Sequence, residues 1–407
     1  MRRTRYGRSG PGPALCCGSG ALAATAPGIA PTQSARGRAS LGFFRPWALA
    51  LLCLLLLSAG CRQTADAPPT APGAGTPATA LRIEAIADDL RAASCPPGSP
   101  FTPLLPIPLA VTPVALTDID TDADLPGADF AGGWQLASAD AAFGGLSGLA
   151  ARGDDSLLAV TDRGAFVAID LREGAPAAAR LAPMQLGAVS DKTDRDAEGL
   201  ALYNGLALVS FEHRHRVLAF DLDGCGAAAR GAEVAALGEA VRGLSRGLAA
   251  NGGAEGLALA TGGELLLALE MQDDGLPLAR LSEGGSATVS ARIAPRGRPV
   301  LTGIDATADT LYAVLRDYLP GVGNHIEVLA LPLGPDGPEV TALRRVLRLA
   351  PHQGTDNFEG IALAPRDDGR LRLWLVADDN FSRRQRTLLY AFDLPTDAGT
   401  AAADSTR

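Results

Sequence analysis

Asp356-Asn357-Phe358-Glu359-Gly360-Ile361-Ala362-Leu363 runs on to Leu373-Trp374-Leu375-Val376-Ala377-Asp378-Asp379-Asn380-Phe381 and then to Leu388-Leu389-Tyr390-Ala391-Phe392-Asp393-Leu394. A carboxylate and a glycine open the first segment. Apolar and β-branched residues ending in acids make the second, and an alternating apolar run makes the third, so the pattern predicts three successive strands. Four earlier copies carry the same opening: Leu146-Ser147-Gly148-Leu149, Ala197-Glu198-Gly199-Leu200, Ala254-Glu255-Gly256-Leu257 and Leu301-Thr302-Gly303-Ile304.

The repeated glycines, at 148, 199, 256, 303 and 360, are spaced by 51, 57, 47 and 57 residues. After each glycine the chain turns into a second strand that ends on an acid: Asp162, Glu212, Glu270, Asp317 (after Arg316) and Asp378. The offset from glycine to acid is 14, 13, 14 and 14 residues in the first four copies and 18 in the last, where Pro365 to Arg370 lengthens the turn. A period of about 50 residues with three or four short strands per unit predicts an all-β propeller, one antiparallel sheet per blade. No helical period separates the strands, which disfavours a parallel α/β fold. Five motifs are visible, yet residues 104 to 394 at about 50 per blade are closer to six blades. The reading is therefore six, with a degenerate blade built partly from residues 104 to 143 and five as the alternative. In either case the strand Leu388 to Leu394 is expected to share a blade with an N-terminal strand.

Residues 1 to 45 hold seven arginines and no acid, and nothing there can form a core. The apolar run Trp47 to Leu57 is too short to span a bilayer as a helix and reads as the hydrophobic region of a signal peptide. Ser58-Ala59-Gly60-Cys61 resembles a bacterial lipobox, with Cys61 acylated as the mature N-terminus, although Ser58 stands where an aliphatic residue is usual. The long tail ahead of the run points to a start codon downstream of Met1. Residues 1 to 60 are thus a targeting segment. Residues 61 to 100 are a Pro/Ala/Thr-rich tether with a short amphipathic helix presenting Ile83, Ile86 and Leu90. Residues 101 to 395 are the propeller and 396 to 407 a disordered tail. The expectation is an exported lipoprotein at the outer membrane, facing the periplasm, touching the membrane through its lipid alone.

Without residues 1 to 60 the chain keeps 29 basic and 45 acidic residues, a net charge near −16. That excludes nucleic acid as a partner and argues against direct docking on anionic lipid. The expected partner is a small molecule and the chain is read as a monomer. With Cys61 lipidated, Cys95 and Cys225 are the remaining thiols, and an exported compartment permits, without requiring, a disulfide between them.

Taken together, Gly144-Gly145-Leu146-Ser147-Gly148 with Thr161-Asp162-Arg163-Gly164, Asp196-Ala197-Glu198-Gly199 with Ser210-Phe211-Glu212, Gly253-Ala254-Glu255-Gly256 with Leu269-Glu270, and Asn357-Phe358-Glu359-Gly360 with Asp378-Asp379-Asn380-Phe381 resemble the phytase-like family, also called esterase-like activity of phytase. The likeness covers roughly residues 104 to 394 and implies a metal-dependent hydrolase of phosphoesters. The fourth copy departs from the pattern at Leu315-Arg316-Asp317.

The carboxylates also speak without the resemblance. In a propeller the first strand of each blade lines the central channel, so Glu198, Glu255 and Glu359, with Ser147 and Thr302 in the other two copies, are expected at one mouth, beside Asp162, Glu212, Glu270, Asp317 and Asp378. So many carboxylates in a small volume raise one another's pKa unless a cation joins them. A hard divalent ion with oxygen ligands, Ca²⁺ before Mg²⁺, answers that need. Glu255, Asp379 and Arg163 are the candidate catalytic residues, with Arg316, Arg383, Arg384 and Asn380 for the substrate. Against this stands a structural reading in which the Glu-Gly pairs accept backbone N–H groups and the strand-end acids cap turns. His213 and His215 read as a solvated strand edge, and Trp134, Trp374, Phe358 and Phe381 as blade core. Gly243-Leu244-Ser245-Arg246-Gly247 matches G-x-S-x-G by letter only, since that motif works as a strand-to-helix elbow in a different fold. A Ca²⁺-assisted phosphoesterase, a binding propeller without chemistry and a metal-dependent ester or lactone hydrolase remain the three alternatives.

Overall fold

The computed structural model describes residues 79–187, 191–237, 253–270 and 275–395. The expected targeting segment, the expected lipidation site Cys61 and the Gly243 to Gly247 stretch lie outside them. Among the described residues no helix is long and apolar enough to cross a membrane.

Five antiparallel sheets succeed one another along the chain. Blade 1 comprises Leu146–Ala151, Ser156–Thr161, Ala165–Arg172 and Ala175–Pro183, with Leu105–Ile107 added at its outer edge. Blade 2 comprises Ala197–Tyr203, Leu206–Phe211, Arg216–Asp221 and Ala232–Ala236. Blade 3 comprises Ala254–Ala260, Glu264–Leu269, Leu276–Leu281 and Ala287–Ile293. In blade 4, Val300–Ala306, Thr310–Leu319 and Gly323–Gly334 are followed by Gly337–Pro338 and Arg344–Leu349, which both pair with the third strand. Blade 5 joins Phe358–Pro365, Leu371–Ala377 and Thr387–Leu394 to the N-terminal strands Asp129–Ala137 and Ala110–Pro113.

The expected sharing of a blade between the two ends of the chain is present, and the described residues form five blades, the alternative to the six that chain length favoured. Residues 104 to 143 do not form a blade of their own. They are dealt out as outer strands to blades 1 and 5, which accounts for the surplus length.

Each first strand slips register at the same place: Leu146/Gly148, Ala197/Leu200, Ala254/Gly256, Leu301/Gly303 and Phe358/Gly360. A bulge of this kind leaves one residue unpaired and re-aims its side chain. Ser147, Glu198, Glu255, Thr302 and Glu359 occupy those positions and line a narrow axial cavity of ≈ 10 Å³, room for about one water. The glycines that follow explain why five strands can approach the axis so closely. A Cβ on Gly148 would strike the Glu198 carbonyl, one on Gly199 the amide of Leu257, one on Gly256 the amide of Ile304, one on Gly303 the Glu359 carbonyl and one on Gly360 the Ser147 carbonyl, all under 3.0 Å. The contacts run around the ring and return to blade 1.

Apolar side chains fill the wedges between neighbouring blades. Phe166 of blade 1 meets Phe220 of blade 2 edge to face at 5.1 Å, and Trp374, Tyr390, Phe358 and Phe392 are fully buried around blade 5. Helix α1 (Ile83–Ser94) seats Ile83, Ala87 and Leu90 on blades 2 and 3, with Ile86 packed at the margin. Its last residue, Ser94, accepts a hydrogen bond from the Asp221 amide at 2.8 Å. The next residue, Cys95, forms a disulfide with Cys225, Cα to Cα 5.6 Å. The helix and its bridge thus fasten the segment ahead of the propeller to blade 2.

Candidate functional site

Strand pairing brings two tiers of side chains to one mouth of the channel. The lower tier is the bulge set of Ser147, Glu198, Glu255, Thr302 and Glu359. The upper tier lies two residues beyond the second-strand partner of each ring glycine. Gly148 pairs with Val160, Gly256 with Ala268, Gly303 with Val314 and Gly360 with Val376, which gives Asp162, Glu270, Arg316 and Asp378. In blade 2 the pairing of Ala197 with Phe211 gives Glu212. Backbone hydrogen bonds repeat the equivalence, since the amides of Asp162, Glu212, Glu270 and Asp378 donate to Gly145, Asp196, Gly253 and Asn357.

This corrects one reading. Arg316, not Asp317, is the fourth member of the upper tier, because the turn in blade 4 is one residue shorter than a constant offset assumes. Asp317 pairs with His325 on the opposite face of its hairpin.

The tiers hold more negative than positive groups. Glu359 Oε1 receives Asn357 Nδ2 at 2.8 Å and lies 3.3 Å from Arg316 Nη1. Glu255 Oε1 accepts the Gly253 amide at 3.2 Å. Lys192 Nζ lies 3.3 Å from Asp162 Oδ2, while Asp162 Oδ1 is buried with no partner. His213 Nε2 stands 3.1 Å from Asp196 Oδ2 and 3.3 Å from Glu212 Oε2. Asp196, Glu212 and His213 each offer a ligand atom within 4.8 Å of the others.

Burial, and after it the neighbouring carboxylates, drive Glu198 and Glu255 well above the usual carboxylate range. Burial also raises Glu359, offset by Arg316 and by the Asn357 hydrogen bond. It lifts Glu212 to about 7 against the pull of His213, and Asp378 to about 8 with Glu359 adding to the rise. Asp162, Asp196 and Glu270 move in the same direction, with burial again the first cause.

A pH dependence follows. Glu212 and Asp378 have ordinary values of 4.5 and 3.8, so between about pH 4 and pH 8 the folded chain holds protons that the unfolded chain has released. Stability then falls as pH rises through that window. In chelator the melting temperature should be lower at pH 8 than at pH 5, and a divalent cation should narrow the gap. A melting temperature flat or rising with pH in chelator would contradict this.

Other residues singled out in the sequence fall into place differently. Asp379 is spent on backbone: Oδ1 accepts the amides of Gly145 and Phe381, both at 2.9 Å, and Oδ2 accepts Thr387 Oγ1 at 3.0 Å. Asp378 Oδ1 accepts the Asn380 amide at 2.7 Å. Asn380 and Phe381 both take left-handed conformations, which turns the chain sharply after the acids. Phe381 is not blade core, because its ring lies beneath the Arg163 guanidinium, 3.3 Å from the centroid. Arg163, Arg383 and Arg384 are exposed.

His213 belongs to the site and was misread from sequence. The second strand of blade 2 stops at Phe211, and residues 212 to 215 form a hairpin turn, so the alternation assumed for His213 and His215 does not apply. Asp196 was visible immediately before Ala197-Glu198-Gly199. Beside the mouth a cleft of ≈ 530 Å³ is lined by Glu270, Arg298, Val300, Arg316, Tyr318, Asn324, Asp356, Asn357 and Gln385. Arg298, Tyr318 and Asn324 sit outside the repeated motif, so periodicity gave no sign of them.

Fold and site together define a class: a five-bladed propeller whose inner strands hold carboxylates at one mouth of the axial channel. The chain belongs to the phytase-like family, described as esterase-like activity of phytase, whose profile matches residues 141–381. Solved structures with a similar course include the PQQ-bound aldose sugar dehydrogenase of Streptomyces coelicolor, 13% identical, covering 72% of this chain and 100% of that one with a TM-score of 0.39. Others are an exo-1,5-α-L-arabinanase from a bovine ruminal metagenomic library (12%, 61% and 92%, TM-score 0.40) and an endo-arabinanase of Bacillus licheniformis (14%, 62% and 96%, TM-score 0.37). At these scores the likeness says nothing about chemistry. No curated protein matches the chain.

Proposed function

We propose that the channel mouth is a metal-assisted hydrolytic site for a small phosphoester. The observation that carries this reading is the convergence of Asp162, Asp196, Glu198, Glu212, Glu255, Glu270, Glu359 and Asp378 beside a ligand-sized cleft that also contains Arg298 and Arg316.

The donor set suits a divalent ion. Glu198, Glu255 and Glu359 offer oxygen only, as Ca²⁺ prefers, and the buried, unpartnered Asp162 Oδ1 is an acceptor that a cation would satisfy. The imidazole of His213 beside Asp196 and Glu212 widens the choice to ions that take nitrogen as well. When bound, such an ion supplies Lewis-acid polarisation of a phosphoryl oxygen and a more acidic water. The protein's own groups do the rest. Arg316 and Arg298 offer planar donors to phosphate oxygens. Arg163, which lies over Phe381 and close enough to Asp162 to act on its charge, adds positive charge beside the acidic mouth. Glu212, held beside His213 at the mouth, is suited by position to take a proton from the attacking water.

A second reading, a binding propeller without chemistry, draws support from Arg316, which neutralises part of the ring internally through Glu359. The test is hydrolysis of phytate, a simple phosphomonoester, a phosphodiester, a carboxylic ester and a lactone in chelator and with Ca²⁺, Mg²⁺ or Mn²⁺. Ion-dependent phosphate release is expected. Ester or lactone cleavage alone would replace the substrate class, and no turnover with the ion bound would assign the site to binding.

A further inference from the structure

The second strands of blades 1, 2, 3 and 5 end at Thr161, Phe211, Leu269 and Ala377, level with the upper tier, whereas that of blade 4 continues past Arg316 to Leu319. Its hairpin with Gly323–Gly334 therefore rises above the mouth as a wall, the longest pair of strands among the described residues. Register divides its side chains cleanly. Arg316 and Tyr318 are two residues apart on one strand, and Asn324 lies directly across from Tyr318, so all three share a face. That face lines the ≈ 530 Å³ cleft. Asp317, Leu319 and His325 take the other face, over a separate cavity of ≈ 200 Å³.

The cleft face presents three kinds of unmet demand. Tyr318 is 62% exposed, a large ring held in solvent at the cleft rim. Asn324 Oδ1 and Arg316 Nε are buried atoms without a hydrogen-bond partner, an acceptor and a donor that pay desolvation until something fills the cleft. Arg298 on the same wall is exposed and adds a second guanidinium. One ligand answers all three: an anionic group on the arginines, a flat ring against Tyr318 and an N–H or O–H directed at Asn324.

We infer that the blade 4 hairpin is the specificity wall of the site and selects a phosphate ester whose alcohol portion carries a planar, hydrogen-bond-donating ring, as in a nucleoside monophosphate. This rests on the phosphoester reading of the same mouth. It separates this chain's preference from that for phosphorylated polyols, which have no flat ring to stack.

The experiment is calorimetric binding of adenosine 5′-monophosphate, ribose 5-phosphate and inorganic phosphate to the full chain with Ca²⁺ present. Adenosine monophosphate should bind at least tenfold more tightly than ribose phosphate. Tyr318→Ala should erase that preference while leaving phosphate binding unchanged, since a base stacked on an aromatic side chain contributes about tenfold or more. Tyr318→Phe should keep the preference, and Asn324→Leu should weaken it. Equal affinity for the two organic phosphates, or a preference that survives Tyr318→Ala, overturns the inference. Because the readout is binding, selective binding without phosphate release would remove the hydrolase reading and leave the specificity wall standing.

Discussion

Replacing Gly303 by alanine is expected to prevent the propeller from closing. The added Cβ would overlap the carbonyl oxygen of Glu359 on the next inner strand. In ordinary cores overpacking costs about 1–3 kcal/mol, because side chains yield. Here the obstacle is backbone, and the strand that bears it is in turn pressed, at Gly360, against the Ser147 carbonyl. Relief at one contact tightens the next. A loss of several kcal/mol against a total stability of roughly 5–15 kcal/mol should appear as an insoluble chain or a much lower denaturation midpoint. Gly284, which has nothing within 4 Å of its would-be Cβ, is the control, and Gly284→Ala should stay within about 0.5 kcal/mol of the parent. A Gly303→Ala chain that melts with the parent would mean that the ring is looser than these contacts imply.

The second large effect is expected at Glu255. Glu255→Gln keeps shape and the Gly253 hydrogen bond but removes a charge from the lower tier, so ion-dependent phosphate release should fall at least a hundredfold. The same change relieves repulsion, and the variant should melt at a higher temperature than the parent in chelator. Turnover and stability thus move in opposite directions, an outcome that general damage to the fold would not give. Asp379→Asn should behave in the reverse sense. Its carboxylate accepts hydrogen bonds from Gly145, Phe381 and Thr387, and an amide nitrogen in place of one oxygen breaks part of that set. The melting temperature should drop, with turnover per folded molecule close to the parent's. Full phosphate release by Glu255→Gln would remove Glu255 from the chemistry.

The repeat of glycine and acid carried most of the fold because it records a physical necessity: inner strands that touch must lack a side chain at the point of contact. Glu198, Glu255 and Glu359 were legible for the same reason, since each precedes a ring glycine. The five motifs gave the number of blades, but chain length pulled the reading to six. Leu105–Ile107 and Asp129–Ala137 each pair with a strand far along the chain, and no local pattern announces such a pairing. Arg316 was displaced by one position because sequence offsets count turn residues, whereas the site counts paired ones. His213 was misread through the assumption that a strand outlasted Phe211. Tyr318 and Asn324 were silent because they belong to the one blade that breaks the repeat.

The sharing of blade 5 between the two ends of the chain sets the order in which the molecule can be made. Strand Asp129–Ala137 has its inner partner in Thr387–Leu394, so during synthesis it must wait, edge exposed, while nearly the whole propeller follows it. Blades 2 to 4 are built from contiguous stretches and can form early. Blade 5 can form only when the last strand arrives, and contacts this distant in sequence are slow to find. An interrupted chain lacking only its final strand would retain most of its apolar core yet keep two open sheet edges, the form most prone to pair with another copy of itself.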